Sequence, residues 1–399
     1  MAGKERLHRV GAALRAHFQA KLGKQNFSLK FITKTYPFLF TLESLPPRNI
    51  EAQSSPKRRV VESALALLAG FAPPLTAQEI WSNKSDLGRR WQPVAVQTAS
   101  PGRAWLLGEG GCPEVDRLIP LAHNLPLTVE TWDAAVEFRA RLTSSMNVTF
   151  PLWSDLATLY DTVICEQEYF SRLGQWLEPA WIQGAGPGTM EQLAVFRRLQ
   201  FTIYGLLPME YKRLQAGPFL KEVIAKMKSP SSEESGGPEK KVFLYGTHDT
   251  VMAPILHVLG VFQGQPSYGS GLILELLASS KSSKKSQNLT TTVRMSFFNV
   301  TADDVRFSPL PFNGSKTFSE RCSQGDCDLG SVEESLRQFL PVDIELECGL
   351  KSGNEDSRNS SRTTVLLLVV ALVLAIAGNV GLLSAQCCAS PKRSGYQTM

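Results

Sequence analysis

The stretch Lys241-Val-Phe-Leu-Tyr-Gly-Thr-His-Asp-Thr-Val-Met-Ala253 holds the residues best placed to do chemistry. Residues 242–245 form a short continuous apolar run, the pattern of a buried strand. Gly246 and Thr247 break it, and helical spacing resumes through Val251, Ile255, Leu256 and Leu259. His248 and Asp249 therefore fall where a strand hands over to a helix N-terminus. In open α/β sheets ligands sit beyond the carboxyl ends of the strands, and helix N-termini favour anions. An imidazolium there can stabilise a phosphate, and a neighbouring carboxyl can protonate a leaving oxygen. The plainer reading is a capped helix, with Asp249 or Thr250 as the cap and His248 facing solvent. The dipeptide alone favours the plainer reading.

The elements that must position this pair are legible in part. Residues 1–23 carry Val10, Ala13, Leu14 and Phe18 at helical spacing and predict one amphipathic helix ending near Gly23. Residues 24–53 show no clean period. A helix is predicted over 60–71, entered at Arg58-Arg59 and stopped by Pro73-Pro74. Helical patterns then dominate 113–235, at 114–121, 132–146, 153–173 and 190–206. Residues 229–240 form a Ser/Glu/Gly/Pro-rich loop, and 279–286 a Ser/Lys-rich connection between strand-like runs at 271–277 and 291–300; a third run covers 304–308. Gly184-Ala-Gly-Pro-Gly188 is a turn and not a phosphate loop, because the Gly-Lys-Ser/Thr ending and the preceding strand are missing.

Composition sets the bounds. The chain has 399 residues, 43% hydrophobic and 20% charged, which is ordinary for a globular protein with a sizeable core. A net charge of +5 with no basic stripe gives nucleic-acid binding no support. The seven cysteines do not form the paired Cys-X-X-Cys clusters of a zinc site, so no metal ligand set is expected. Of the five histidines, His257 lies nine positions after His248 and suits a core or surface role; His8 and His17 lie on the N-terminal helix.

Tyr245-Gly-Thr-His-Asp-Thr250 resembles the Tyr-Ser-Ala-His-Asp-Thr segment of the histidine acid phosphatases. The resemblance continues through Pro266-Ser-Tyr-Gly-Ser-Gly-Leu-Ile-Leu-Glu-Leu276, Trp91-Gln-Pro-Val94 and Tyr160-Asp-Thr-Val-Ile-Cys-Glu-Gln167. It covers roughly 54–348 and is nearest the lysosomal and prostatic members. It implies an α/β fold like the phosphoglycerate-mutase superfamily, a mostly parallel sheet with a helical lid domain. It also implies phosphomonoester hydrolysis without a cofactor, His248 binding phosphate and Asp249 donating a proton. Residues 54–64 are similar to the family's Ser-Thr-Asp-X-Asp-Arg-Thr segment, and Arg59 falls on the arginine that holds phosphate there. A guanidinium fork suits phosphate oxygens. Pro56 and Arg58 replace the motif's acids and Val60 its Thr, so a basic surface helix start is the equal alternative. The resemblance further implies disulfides Cys112–Cys348 and Cys322–Cys327. The family partner of Cys165 falls at Gly271, leaving Cys165 expected as a free, buried thiol.

Family members form a phosphohistidine on an Arg-His-Gly-X-Arg-X-Pro motif, splitting hydrolysis into two steps. No Arg-His-Gly occurs in this chain. The expectation is a chain that starts after the family's first strand, through a truncated gene model or an alternative transcript, and that turns substrate over little or not at all. The alternative is a catalytically inactive glycoprotein serving as a binding or trafficking module.

Other signals point to the secretory pathway. Seven Asn-X-Ser/Thr sequons occur, at Asn26, Asn83, Asn147, Asn288, Asn299, Asn313 and Asn359. Residues 363–383 run 21 positions without a charge, thirteen of them Val, Leu or Ile. That is enough to cross a bilayer, with roughly −4 to −8 kcal/mol from the aliphatic residues. A single-pass type I anchor in the lysosomal membrane is expected, with the bulk of the chain lumenal. The tail ends Ser-Gly-Tyr-Gln-Thr-Met; Gly395, Tyr396 and Met399 look like the sorting signals that clathrin adaptors read. Cys387 and Cys388 are candidates for palmitoylation. The expected layout is 1–111 as part of the α/β core without its first strand, 112–240 as the lid-type region and 241–350 as the rest of the core. A stalk at 351–362, the span at 363–383 and a cytosolic tail at 384–399 follow. Oligomeric state is open, a homodimer included.

Overall fold

The computed structural model describes residues 2–24, 47–74, 77, 79–98, 106–107, 110–228, 241–280, 289–301, 304–312, 318, 322 and 326–351. The predicted N-terminal helix is α1 (Ala2–Lys24). Strand β1 (Ile50–Ser54) follows, with Ile50, Ala52 and Ser54 buried and Glu51 and Gln53 half-buried. Sequence patterning does not mark this strand, because only one of its three buried positions is a large apolar residue. Helix α2 (Arg58–Phe71) matches its predicted span closely and ends before Pro73. α1 and α2 cross backbone to backbone at two glycines. A Cβ on Gly11 would stand 2.0 Å from the Leu67 carbonyl oxygen, and one on Gly70 2.0 Å from that of His8.

Helix α3 (Asp86–Arg90) is capped by Ser85, whose hydroxyl accepts from the Leu87 N–H. After β2 (Val96–Thr98) the helical region begins with α4 (Pro113–Leu118) and α5 (Pro126–Ala134), each opened by a proline at its first position. Such a proline lacks only an N–H that would have no partner inside the helix. Two predicted spans break. The helix expected at 114–121 passes into a 3-10 turn, Ile119–Asn124, where Pro120 has no N–H to give an α-helical bond. The helix expected at 132–146 is interrupted at Ala135 (φ −97°, ψ 15°), which separates α5 from α6 (Val136–Met146). α7 (Trp153–Arg172) and α9 (Thr189–Leu206) follow their predicted spans, with α8 (Ala180–Gly184) between them. α10 (Met209–Lys228) was not predicted, since Gly217-Pro218 lies inside it; Gly217 is needed where a Cβ would meet the Phe339 carbonyl oxygen at 2.0 Å.

The second half contains β3 (Val242–Gly246), α11 (Asp249–Val258), β4 (Gly271–Ser280), β5 (Leu289–Val300), β6 (Val305–Pro309), β7 (Cys327–Asp328), α12 (Leu329–Leu336) and α13 (Ile344–Glu347). A parallel sheet runs β2-β1-β3, with Ala52 opposite both Val96 and Leu244 and Ser54 opposite Gly246. The later strands form a separate antiparallel sheet, β4-β5-β6, with β7 on β5. Among the described residues the parallel pairing expected for most of the sheet is confined to β1–β3. β4 and β5 are consecutive and only residues 281–288 connect them. A parallel pair needs a crossover of about a dozen residues or more.

All these elements belong to one compact unit, Met1–Cys348. α1, α2, β1, β2 and β5 share one core around Val10, Leu68, Phe71 and Phe298. A second joins α10 and α11 to the antiparallel sheet, and a third fills the helical region around Leu142, Leu156, Leu193 and Phe196. Both expected disulfides form, Cys112–Cys348 and Cys322–Cys327. Cys165 is free, as expected, but exposed and not buried. It lies on α7, and the position of its family partner is closed: a Cβ on Gly271 would meet the Phe298 ring at 2.4 Å.

Among the described residues no helix is long and apolar enough to cross a membrane. Residues 363–383 and the tail with Cys387, Cys388, Gly395, Tyr396 and Met399 lie outside the described residues, as do Asn26, Asn288, Asn313 and Asn359. Asn83, Asn147 and Asn299 are exposed, Asn147 as the left-handed residue that ends α6.

Candidate active site

The parallel register decides where the chemistry collects. β1 and β3 end side by side at Ser54 and Gly246, and the Ser55 N–H continues the ladder to the Gly246 carbonyl oxygen at 2.9 Å. Beyond that edge each strand turns into a helix. β1 leads through Ser55, Pro56 and Lys57 into α2; β3 leads through Thr247 and His248 into α11. Thr247 pins the second turn, its hydroxyl donating to the Leu107 carbonyl oxygen at 3.0 Å. His248 is the N-cap residue of α11 but does not cap it with its side chain. Its Nε2 lies 2.9 Å from Oγ of Ser55, a residue that is fully buried. A hydrogen bond from one ring nitrogen to a rigid hydroxyl helps to fix the plane of the imidazole.

Asp249 opens α11. Its Oδ1 accepts from the Thr250 N–H at 2.9 Å and its Oδ2 from Arg197 at 2.9 Å. Burial raises the carboxyl above its ordinary pKa. The Arg197 charge opposes that rise and the Asp161 carboxylate adds to it; the Thr250 N–H and His248 oppose it more weakly. The result is a carboxyl that keeps its proton to higher pH than a free aspartate, beside a histidine, at the carboxyl end of a parallel sheet. That arrangement can bind an oxyanion and deliver a proton.

Arg59 stands in the first turn of α2, exposed, and its side chain makes no ion pair among the described residues. Its neighbour Arg58 is engaged with Glu62 at 2.8 Å. His248 is bonded to Ser55 and the adjacent Asp249 to Arg197, two pairs side by side at the end of β3, while Arg59 follows the β1 turn and joins neither pair. His257, further along α11, is structural: its Nε2 bonds the Phe201 carbonyl oxygen at 2.9 Å and its ring stacks on Phe262.

A family model for the histidine phosphatase superfamily (branch 2) matches residues 1–297. The chain belongs to that superfamily. Among curated proteins it is 26% identical over 338 residues to the lysosomal acid phosphatase of Homo sapiens, covering 82% of this chain and 72% of that one. It is 25% identical over 347 residues to the prostatic acid phosphatase of Bos taurus, covering 84% and 80%. Among solved structures, the phytase from Citrobacter braakii superposes with a TM-score of 0.52 at 16% identity, over 87% of this chain and 88% of that one, a likeness of fold.

Sequence reasoning missed four residues that bond in or around this site, Ser55, Asp161, Arg197 and Tyr268. Ser55 carries no signal of its own beyond the similar segment at 54–64. Asp161 and Tyr268 lie in the similar segments at 160–167 and 266–276, which give them no chemical role by residue type alone. Arg197 had one available signal: it interrupts the apolar stripe Leu193, Phe201 at four-residue spacing, and a charged residue on a buried face calls for a partner.

Proposed function

We propose that this chain carries the site of an acid phosphatase acting on phosphomonoesters in the lysosomal lumen. His248 would stabilise the transferring phosphoryl group, Asp249 would protonate the leaving alcohol, and Arg59 would clasp phosphate oxygens with its fork. The observation that supports this most is the raised pKa of Asp249 beside Ser55-anchored His248 at the end of β3. A proton donor must keep its proton as pH rises, and burial shifts the Asp249 carboxyl in that direction. The helical region 112–240 would serve as the lid and 241–350 complete the core. The chain would be glycosylated at its lumenal sequons, anchored through 363–383, and sorted by an adaptor reading Tyr396 and Met399.

The 399 residues contain no Arg-His-Gly, so turnover by this chain alone should be close to background even where phosphate binds. That same absence favours a second reading, a binding module that keeps the site as a phosphate receptor. The test is calorimetric titration of the purified chain with inorganic phosphate at acid pH, alongside hydrolysis of an aryl phosphate. Binding that Asp249→Asn and His248→Ala both weaken, with turnover near background, is expected. No phosphate binding would sink both readings of the site; fast turnover would overturn the expectation of inactivity.

A further inference from the structure

Arg197 is the most enclosed charge near the site, its side chain only 7% exposed. Its Nη2 donates to Asp249 Oδ2 on α11 at 2.9 Å and stands 3.1 Å from Asp161 Oδ1 on α7. Its Nη1 donates to Gln200 at 2.6 Å, and its guanidinium carbon lies 4.6 Å from the centre of the Phe201 ring. Asp161 is held in turn by the Tyr268 hydroxyl, and Cys165 Sγ lies 3.7 Å from that hydroxyl. With both terminal nitrogens engaged, and only Nε buried without a partner, the enclosed guanidinium is not free to swing out to meet a substrate. It can only orient what it already holds.

We propose that Arg197 is a positioning residue of the site, fixing the Asp249 carboxyl through Oδ2, while Asp161, itself bonded by Tyr268, holds Arg197 from the other side. The inference rests on the phosphatase reading only for what Asp249 does. One guanidinium serving two carboxylates compensates neither fully, so Asp249 feels a cation and a second anion at once. The groups facing it are Arg197 and Tyr204 on α9, Asp161 on α7, and His248 and the Thr250 N–H on its own segment. Removing each half of the pair must therefore move Asp249 in opposite directions. Loss of the Arg197 charge raises its pKa, and loss of the Asp161 charge lowers it.

The experiment follows the aspartate carboxyl carbons by NMR across an acid titration of the full chain, with the Asp249 signal assigned by its loss in Asp249→Asn. Arg197→Gln should shift the Asp249 midpoint up by about one pH unit and Asp161→Asn should shift it down by a similar amount. Arg197→Lys keeps the charge without the fork and should hold the midpoint near that of the parent chain. A role confined to helix packing moves none of these midpoints. Unchanged midpoints in folded Arg197→Gln, or in Asp161→Asn should Arg197→Gln fail to fold, would overturn the proposal. Failure of the phosphatase reading shows separately, as absent phosphate binding, and leaves these titrations intact.

Discussion

The Cys112–Cys348 disulfide should be worth far more to stability than Cys322–Cys327, for a reason that lies in the unfolded chain. A cross-link removes loop-closure entropy from the denatured ensemble, and the loss grows with the logarithm of the loop. The two bridges span 236 and 5 residues. At 25 °C these separations correspond to about 5.5 and about 2 kcal/mol. The long bridge also joins the N-terminal end of α4 to the residue following α13, with Cys112 and Cys348 both in the helical core around Leu142 and Phe196. Its loss should therefore loosen the region that supplies Asp161 and Arg197. The assay is guanidinium unfolding of the Cys112→Ala/Cys348→Ala and Cys322→Ala/Cys327→Ala double variants against the oxidised parent. The first pair should lose about 3 kcal/mol more than the second. Equal losses, or a larger loss for the short loop, would refute the reasoning and place the stabilisation in local contacts.

Three further outcomes are expected. Ser55→Ala removes the hydrogen bond that orients His248 and should weaken phosphate binding by about 1 kcal/mol, roughly fivefold, in calorimetry. Gly70→Ala drives a methyl group onto the His8 carbonyl oxygen at 2.0 Å and should lower stability by about 1–3 kcal/mol as α1 and α2 separate, read by thermal melting. Burial holds the His257 pKa below its ordinary value. The stability it contributes is present above the unfolded pKa of 6.5 and is lost as pH falls through the folded value. The melting temperature of the parent should accordingly fall more steeply between about pH 7 and about pH 5 than that of His257→Gln.

What the sequence discloses divides along a physical line. α1, α2, α7, α9 and the β3–α11 turn are legible because periodicity and breakers are local properties of the chain. β1 is not, because Ile50, Ala52 and Ser54 owe their burial to neighbours on both sides, Val96 on β2 and Val242, Leu244 and Gly246 on β3. α10 hides behind Gly217-Pro218, a break on local grounds that the close approach of Phe339 turns into a requirement. The site divides the same way. His248 and Asp249 are adjacent and carry a recognisable segment, whereas Arg197 reaches Asp249 across 52 residues. Within α9, Arg197 and Arg198 are indistinguishable by residue type, yet the first is buried and the second exposed. One step along a helix turns a side chain by about 100°, which carries Arg197 onto the stripe with Leu193 and Phe201 and Arg198 off it. Helices that look like packing material around a strand-end site therefore supply charges that face its carboxyl, Arg197 on α9 and Asp161 on α7. A substitution on α7 or α9 that leaves every strand-end residue in place can still move the protonation of Asp249.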